Sequence, residues 1–263
     1  MSQKNRRRVA IFGLGLLGRR LARSLRRRGD DVLGYSRSSY IGRGCVFDAA
    51  QEEDCRIAVR SMLPPDVLLI TFPPQEAHPA FWEMTAKMGD QRFLLGSTNT
   101  YHSQTGVSIT EESALRTSHE RYSMEDMFLR SGGRLVRLAN TYGDLRNPVR
   151  WIQQGRVGYE DRQANLVHYD DVVGALLRLT RGAAPASVYN LSDGQEHTWR
   201  AIVDALMADR WLLAAPSRSP PTKVDAFVEN KRFGSQFPDF SFRDFWQELP
   251  GLATAAFGRE KQL

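Results

Sequence analysis

Glycines at positions 13, 15 and 18, directly after a short apolar run, constrain this chain more than any other feature. The surrounding segment, RRVAIFGLGLLGRRLARSLRRRGDDVLGYSRSS, combines a strand (Val9 to Phe12), an amphipathic helix ending near Gly29 and a second strand (Val32 to Tyr35). Strand, G-x-G-x-x-G, helix and strand in that order form a dinucleotide-binding unit. The three glycines act differently. Gly13 allows the tight turn, and Gly15 lets the backbone amides of Leu16 and Leu17 approach a pyrophosphate at the helix N-terminus. Gly18 permits close packing of helix on strand. A purely structural turn is the alternative, and the flanking pattern favours the bound cofactor.

The residues closing the second strand choose between the two nicotinamide cofactors. A carboxylate there holds the ribose hydroxyls of NAD, whereas Ser36, Arg37 and Ser38 offer hydroxyls and a guanidinium suited to a 2′-phosphate. Asp30 and Asp31 precede the strand and lie at its wrong end. The expected cofactor is therefore NADP(H), the other reading being that Arg37 is an ordinary surface arginine.

Further strand candidates run from Cys45 to Phe47, Val67 to Phe72, Arg92 to Gly96, Arg134 to Leu138, Leu166 to Val167 and Val188 to Leu191, with helical patterns between most of them. Such alternation implies an α/β fold with a doubly wound, mostly parallel sheet. Ligands of these sheets lie beyond the carboxyl ends of the strands. That rule selects Asp48, Thr71 to Pro74, Ser97 to His102, Asn140 to Arg146 and His168 to Asp171. From Trp199 onward, including SRSPPTK and FPDFSFRDFW, the alternation stops. The expected division is a cofactor domain over 1–198, with a substrate-facing insertion near 144–165, and a small C-terminal substrate lobe over 199–263.

With 263 residues, 41% of them apolar, the chain can bury a sizeable core. Its longest apolar runs, such as VLLITF, fall well short of the roughly 20 residues a membrane helix needs, so a cytoplasmic protein without membrane contact is expected. Cys45 and Cys55 have neither zinc-ligand spacing nor a disulfide framework, and no metal is implied. The net charge of +6 is concentrated in Arg6, Arg7, Arg8, Arg19, Arg20, Arg23, Arg26, Arg27 and Arg28. The last six lie in one helix whose apolar stripe is Leu16, Leu17, Leu21 and Leu25. Without interleaved aromatics or a DNA-binding motif, they read as a solvated face and not as a nucleic-acid surface.

Beyond the glycine unit, four segments resemble the extended and atypical branches of the short-chain dehydrogenase/reductase superfamily, the group of NAD(P)-dependent epimerases and dehydratases. LLGSTNTYH is similar to the family segment ending Ser-x-x-x-Tyr-Gly, RLANTYG to Arg-x-x-Asn-x-Tyr-Gly, and NLVHYDDVVGAL to Phe-Ile-His-Val-Asp-Asp-Val-Ala. VYNLSDGQEHTWRAIVDAL looks like the strand and helix that open the family's C-terminal lobe. The tight glycine triplet and the short chain favour the atypical branch. The resemblance implies a Rossmann fold with Gly13, Gly15 and Gly18 at the pyrophosphate, Arg37 at the 2′-phosphate and Asp48 at the adenine. Thr71, Phe72 and Pro73 would pass under the nicotinamide half, Ser97 would hydrogen-bond the reacting group, and Asn140, Tyr142 and Arg146 would face the substrate. His168 and Asp170 read as structural.

The departure lies in RTSHERYSMED. Usual members carry a tyrosine acid and, four residues on, a lysine that lowers its pKa and binds the nicotinamide ribose. Anchoring the helix on Glu125, which has the right distance to Arg137, puts Thr117 and Arg121 at those positions. Threonine is a poor acid, while Arg121 would hold the ribose but not shed a proton. A five-residue slip puts Tyr122 and Asp126 there instead. The donor candidates are Tyr122, Tyr101 and His102 or His119; an already protonated imine needs no strong acid. Three readings follow: an NADPH-dependent reductase of a small carbonyl or imine, a non-catalytic NADP(H) sensor, and a sugar-nucleotide epimerase or dehydratase. The expected partners are a small-molecule substrate and, in a homodimer through two surface helices, a second copy of the chain.

Overall fold

Continuous apolar runs become central strands here because helices cover the sheet and leave little room for polar side chains. The computed structural model describes residues 6–38, 44–102, 106–143, 145–182, 184–217 and 226–258. Its strands are β1 (Arg8–Phe12), β2 (Asp31–Ser36), β3 (Gly44–Val46), β4 (Val67–Ile70), β5 (Gln91–Ser97), β6 (Arg134–Leu138), β7 (Asn140–Tyr142), β8 (Leu166–His168) and β9 (Val188–Leu191). The helices are α1 (Leu16–Arg27), α2 (Glu52–Ser61), α3 (Pro79–Ala86), α4 (Tyr122–Arg130), α5 (Pro148–Gln153), α6 (Tyr169–Leu179), α7 (Trp199–Ala208), α8 (Lys231–Gln236) and α9 (Phe245–Phe257).

Among the described residues a seven-stranded sheet has the order β3-β2-β1-β4-β5-β6-β9. Its β3/β2, β2/β1, β1/β4 and β4/β5 pairs are parallel. The chain starts at β1, moves outward to β2 and β3, then returns to β4 on the other side of β1. This reversal opens a crevice at the carboxyl ends of β1 and β4. The doubly wound α/β expectation therefore holds. Every residue of β4 is buried, and Val9 through Phe12 in β1 are too.

Several boundaries differ from the sequence reading. β4 stops at Ile70 rather than Phe72, which releases Thr71 and Phe72 into the loop. β8 lies outside the main sheet and pairs in parallel with β7, a three-residue strand too short to stand out in the sequence. In α1 the buried face is Gly18, Leu21, Ala22 and Leu25, while Leu16 and Leu17 are half-buried. Leu14, just before the helix, is buried and packs at Gly34 in β2.

The chain divides into two compact units, each assembled from three segments. The first comprises 1–100, 115–137 and 173–189; the second comprises 101–114, 138–172 and 190–263. The units interleave along the chain, unlike the expected single division at Trp199. The first unit's core stacks Phe12 on Tyr35 and sets Phe12 edge-on to Phe81. Full burial of an apolar side chain such as Phe12 or Phe81 contributes roughly 1.5–3 kcal/mol. The second unit's core gathers Tyr142, Val149, Leu166, Trp199, Ile202 and Phe245 from β7, α5, β8, α7 and α9. The run SRSPPTK falls, beyond Ser217, outside the described residues. Among those residues no helix is long and apolar enough to cross a membrane.

Candidate functional site

Gly13 follows β1 with φ +102°, a left-handed conformation that strains any side chain. Its amide donates to the Tyr35 carbonyl at 2.9 Å, joining the turn to β2. A Cβ on Gly18 would sit 2.0 Å from the Gly13 carbonyl oxygen, so the third glycine brings helix and turn together. Thr71, after β4, clamps the same turn: its hydroxyl lies between the Phe12 and Gly13 carbonyls and donates to that of Gly13. Gly15 is different. A Cβ there would meet nothing within 4 Å, and as the N-cap of α1 it brings neither a capping side chain nor a carboxylate to the first turn. The first-turn amides thus end beside open space, an arrangement that suits an anion.

That space belongs to a cavity of about 380 Å³. Gly13, Gly15, Ser36, Arg37, Ser38, Asp48, Thr71, Phe72 and Pro73 line it, so most of the expected cofactor set converges. Leu16, Leu17 and Gly18 lie in the first turn of α1 and are not among its wall residues. Ser36 turns its hydroxyl onto the Ser38 carbonyl at 2.6 Å. Asp48 accepts from the Ala50 amide at 3.1 Å, while its own amide donates to Asp54 at 2.7 Å. Arg37 is exposed, its guanidinium 3.7 Å from the Glu76 carboxylate.

Four side chains on the cavity wall, Arg19, Tyr35, Phe47 and Glu76, escaped the sequence reading. Arg19, assigned above to a solvated face, lines the cavity and donates from Nε to the Leu14 carbonyl at 2.7 Å. Its i+4 spacing from Gly15 was the available signal. Tyr35 in β2 and Phe47 just after β3 supply aromatic wall, their place in the apolar core hiding this second role. Burial pushes the Tyr35 phenol up to about 12, which keeps it neutral. Glu76, in the 3-10 turn Pro74–Glu76 beyond β4, carried no sequence signal.

The reactive end departs from expectation. α4 begins at Tyr122, so Thr117 lies in an exposed turn and Arg121 is the residue before the helix. Thr117 and Arg121 therefore do not share a helical face, and the one-turn spacing argument does not apply to them. The Glu125 anchor does hold: Arg137 donates to Oε2 of Glu125 from Nε at 3.0 Å and from Nη2 at 2.8 Å, both side chains being 2% exposed. A Cβ on Gly96 would stand 2.7 Å from Glu125 Oε1, so β5 needs a glycine where α4 packs. Burial pushes the Glu125 carboxyl above its usual range, against the opposing pull of Arg137.

Tyr122 precedes Glu125 by three residues and shares its helix face, one turn nearer the helix start. It is half-buried. Asp126, which the slipped register would set in the lysine's place, pairs instead with Arg130 at 2.8 Å. Ser97 ends β5, and its oxygen accepts from the Asn99 amide at 3.2 Å. Burial, Arg116 and Arg121 depress the His119 pKa, while its Nδ1 accepts from the Arg121 amide at 3.3 Å. Gln75, beside Glu76, donates to Glu120 at 2.9 Å, linking the 3-10 turn to the segment that leads into α4.

The remaining expected site residues lie in the second unit. Tyr101 is 2% exposed and its hydroxyl donates to Asn190 at 2.8 Å, a packing role that overturns its reading as a cleft-facing donor. His102 is exposed. Asn140 is exposed and donates to the Ala164 carbonyl. Arg146 is exposed above the Trp151 ring. Tyr142 is fully buried between His168 and Phe245, and burial raises its phenol pKa. That placement makes it a core residue and not a substrate contact. His168 accepts from the Asp170 amide at 3.1 Å, while Asp170 pairs with Arg243 at 3.1 Å.

No family model and no curated protein sequence matches the chain. Solved structures do. A candidate NAD-dependent epimerase/dehydratase from Methylobacillus flagellatus aligns with a TM-score of 0.77 at 18% identity, covering 95% of this chain and 98% of that one. Bordetella bronchiseptica WbmH, in complex with NAD+, gives 0.74 at 17% identity over 98% of this chain and 99% of its own. A short-chain dehydrogenase/reductase superfamily protein from Agrobacterium tumefaciens with bound NAD gives 0.73 at 13% identity over 94% and 96%. The chain shares their fold. At these identities the likeness concerns architecture, which extends over nearly the whole of each protein compared.

Proposed function

We propose that this protein binds NADP(H) in the cavity behind the glycine turn and uses it to reduce a small-molecule carbonyl or imine. The observation that carries the reading is that Ser36 at the end of β2, with Arg37 and Ser38 just after it, stands on the wall that Gly13 and Gly15 also line, without a carboxylate at that strand end. The fold likeness to NAD-bound proteins supports a nicotinamide dinucleotide. Arg37 favours the phosphorylated form, since a guanidinium suits phosphate oxygens, while Arg19 beside the glycine turn would serve either cofactor. The residues fit such a group: open space above Gly15 suits the pyrophosphate, and the aromatic wall suits the adenosine end.

When bound, the nicotinamide supplies a hydride equivalent. The chain's part is to position and polarise. Ser97, its oxygen accepting from Asn99, has its own hydroxyl proton to give to the acceptor atom of the substrate. Tyr122, at the start of α4, is the remaining phenol for proton delivery now that Tyr101 is engaged. Arg121, the residue before the helix, offers a permanent cation to hold the nicotinamide ribose.

A second reading, a sensor without turnover, draws on two observations: Tyr101 is locked in a core and Thr117 lies off the helix. A sugar-nucleotide epimerase or dehydratase, which recycles its cofactor, would rely on the tyrosine and lysine pair that this chain lacks. Fluorescence titration with NADPH and NADH tests the cofactor. NADPH is expected to bind about tenfold more tightly or better, and Arg37→Gln to abolish the preference. Equal wild-type affinities would remove the assignment of Arg37. Oxidation of NADPH across a panel of small carbonyls and imines then separates reductase from sensor.

A further inference from the structure

We propose that Glu76 is a resident counter-ion of Arg37 that tunes the cavity's discrimination between a 2′-phosphate and a free ribose hydroxyl. The inference rests on the assignment of Arg37 to that phosphate and adds a residue with the opposite effect on its binding. Glu76 lines the same cavity, and its carboxylate lies 3.7 Å from the guanidinium. The turn that holds it is stiff: Pro73 and Pro74 fix two successive φ angles. The Glu76 amide donates to the Pro73 carbonyl at 3.1 Å, and the His78 amide donates to the Ala49 carbonyl at 2.8 Å. The carboxylate is therefore presented from a defined backbone position.

Both side chains are substantially exposed, 71% for Arg37 and 44% for Glu76. An ion pair of that kind is weak, strong enough to compete for a guanidinium but not to lock it. An incoming phosphate has to draw Arg37 away from Glu76 and then lie near a carboxylate of its own sign. A free ribose hydroxyl faces no such repulsion. Glu76 thus lowers affinity for the phosphorylated cofactor selectively, and its contribution is coupled to Arg37.

Titration of wild type, Glu76→Gln, Arg37→Gln and the double variant with NADPH and NADH tests this. Glu76→Gln is expected to tighten NADPH binding about three- to tenfold and leave NADH unchanged, with a smaller gain in the Arg37→Gln background. The gain should shrink at high salt, where exposed charges are screened. An unchanged NADPH affinity in Glu76→Gln, alongside lost preference in Arg37→Gln, would overturn the role of Glu76 while leaving that of Arg37 intact. Loss of NADH binding in Glu76→Gln would instead make Glu76 an acceptor for ribose hydroxyls and also overturn the proposal. An Arg37→Gln variant with unaltered preference would remove the underlying reading itself.

Discussion

The glycine turn after β1 and the segment leading into α4 belong to the same unit, yet one keeps its whole pattern and the other does not. Around Gly13, Gly15 and Gly18 the working parts are backbone amides and empty space, held by Thr71 and by the close approach of Gly18 to Gly13. Around α4 the working parts are side chains: Thr117 and Arg121 stand in the turn before the helix and Tyr122 begins it, so what can be protonated there depends on residue type. The packing beneath is tight, with Glu125 and Arg137 buried together against β5. Anchor and candidate reactive groups are therefore separable: Glu125 seats α4 against Arg137 and β5, while Tyr122 and Arg121 stand at and before its first turn.

Arg137→Ala attacks the seat and should have the largest effect. It leaves a buried carboxylate uncompensated, at a cost of about 3–5 kcal/mol in urea unfolding. A loss below about 1 kcal/mol would show that solvent reaches Glu125 and that the anchor is weaker than its burial implies. Tyr122→Phe addresses the reactive end alone: turnover should fall about a hundredfold or more, with NADPH affinity unchanged. Unaltered turnover would place proton delivery elsewhere and deepen the contrast between the two ends. Gly18→Ala strains the retained pattern, and about 1–3 kcal/mol of lost stability together with weakened NADPH binding is expected from the overpacking. If both were unaffected, the close approach would be adjustable and the glycine turn less constrained than its partner segment.

The fold was legible because strand and helix periods coincide with burial. Arg134–Leu138 and Val188–Leu191 were located to the residue, and the order of β1, α1 and β2 followed from one glycine pattern. β7 was not legible, since its three residues carry no period and are strand only through pairing with β8. The cofactor wall was readable where residues directly follow strands. Glu76 and Arg19 were missed because they reach the cavity from a turn and a helix whose sequences look like ordinary surface. Tyr101 misled for a related reason: its place beyond β5 gave no hint of Asn190, far along the chain, which accepts its proton.

The hydrogen bond from Gln75 to Glu120 has a practical corollary for anyone redesigning this molecule. One proline-stiffened turn carries both the carboxylate beside Arg37 and the amide that grips the approach to Tyr122. A change made there to switch coenzyme preference should be screened for altered catalytic speed in the same experiment.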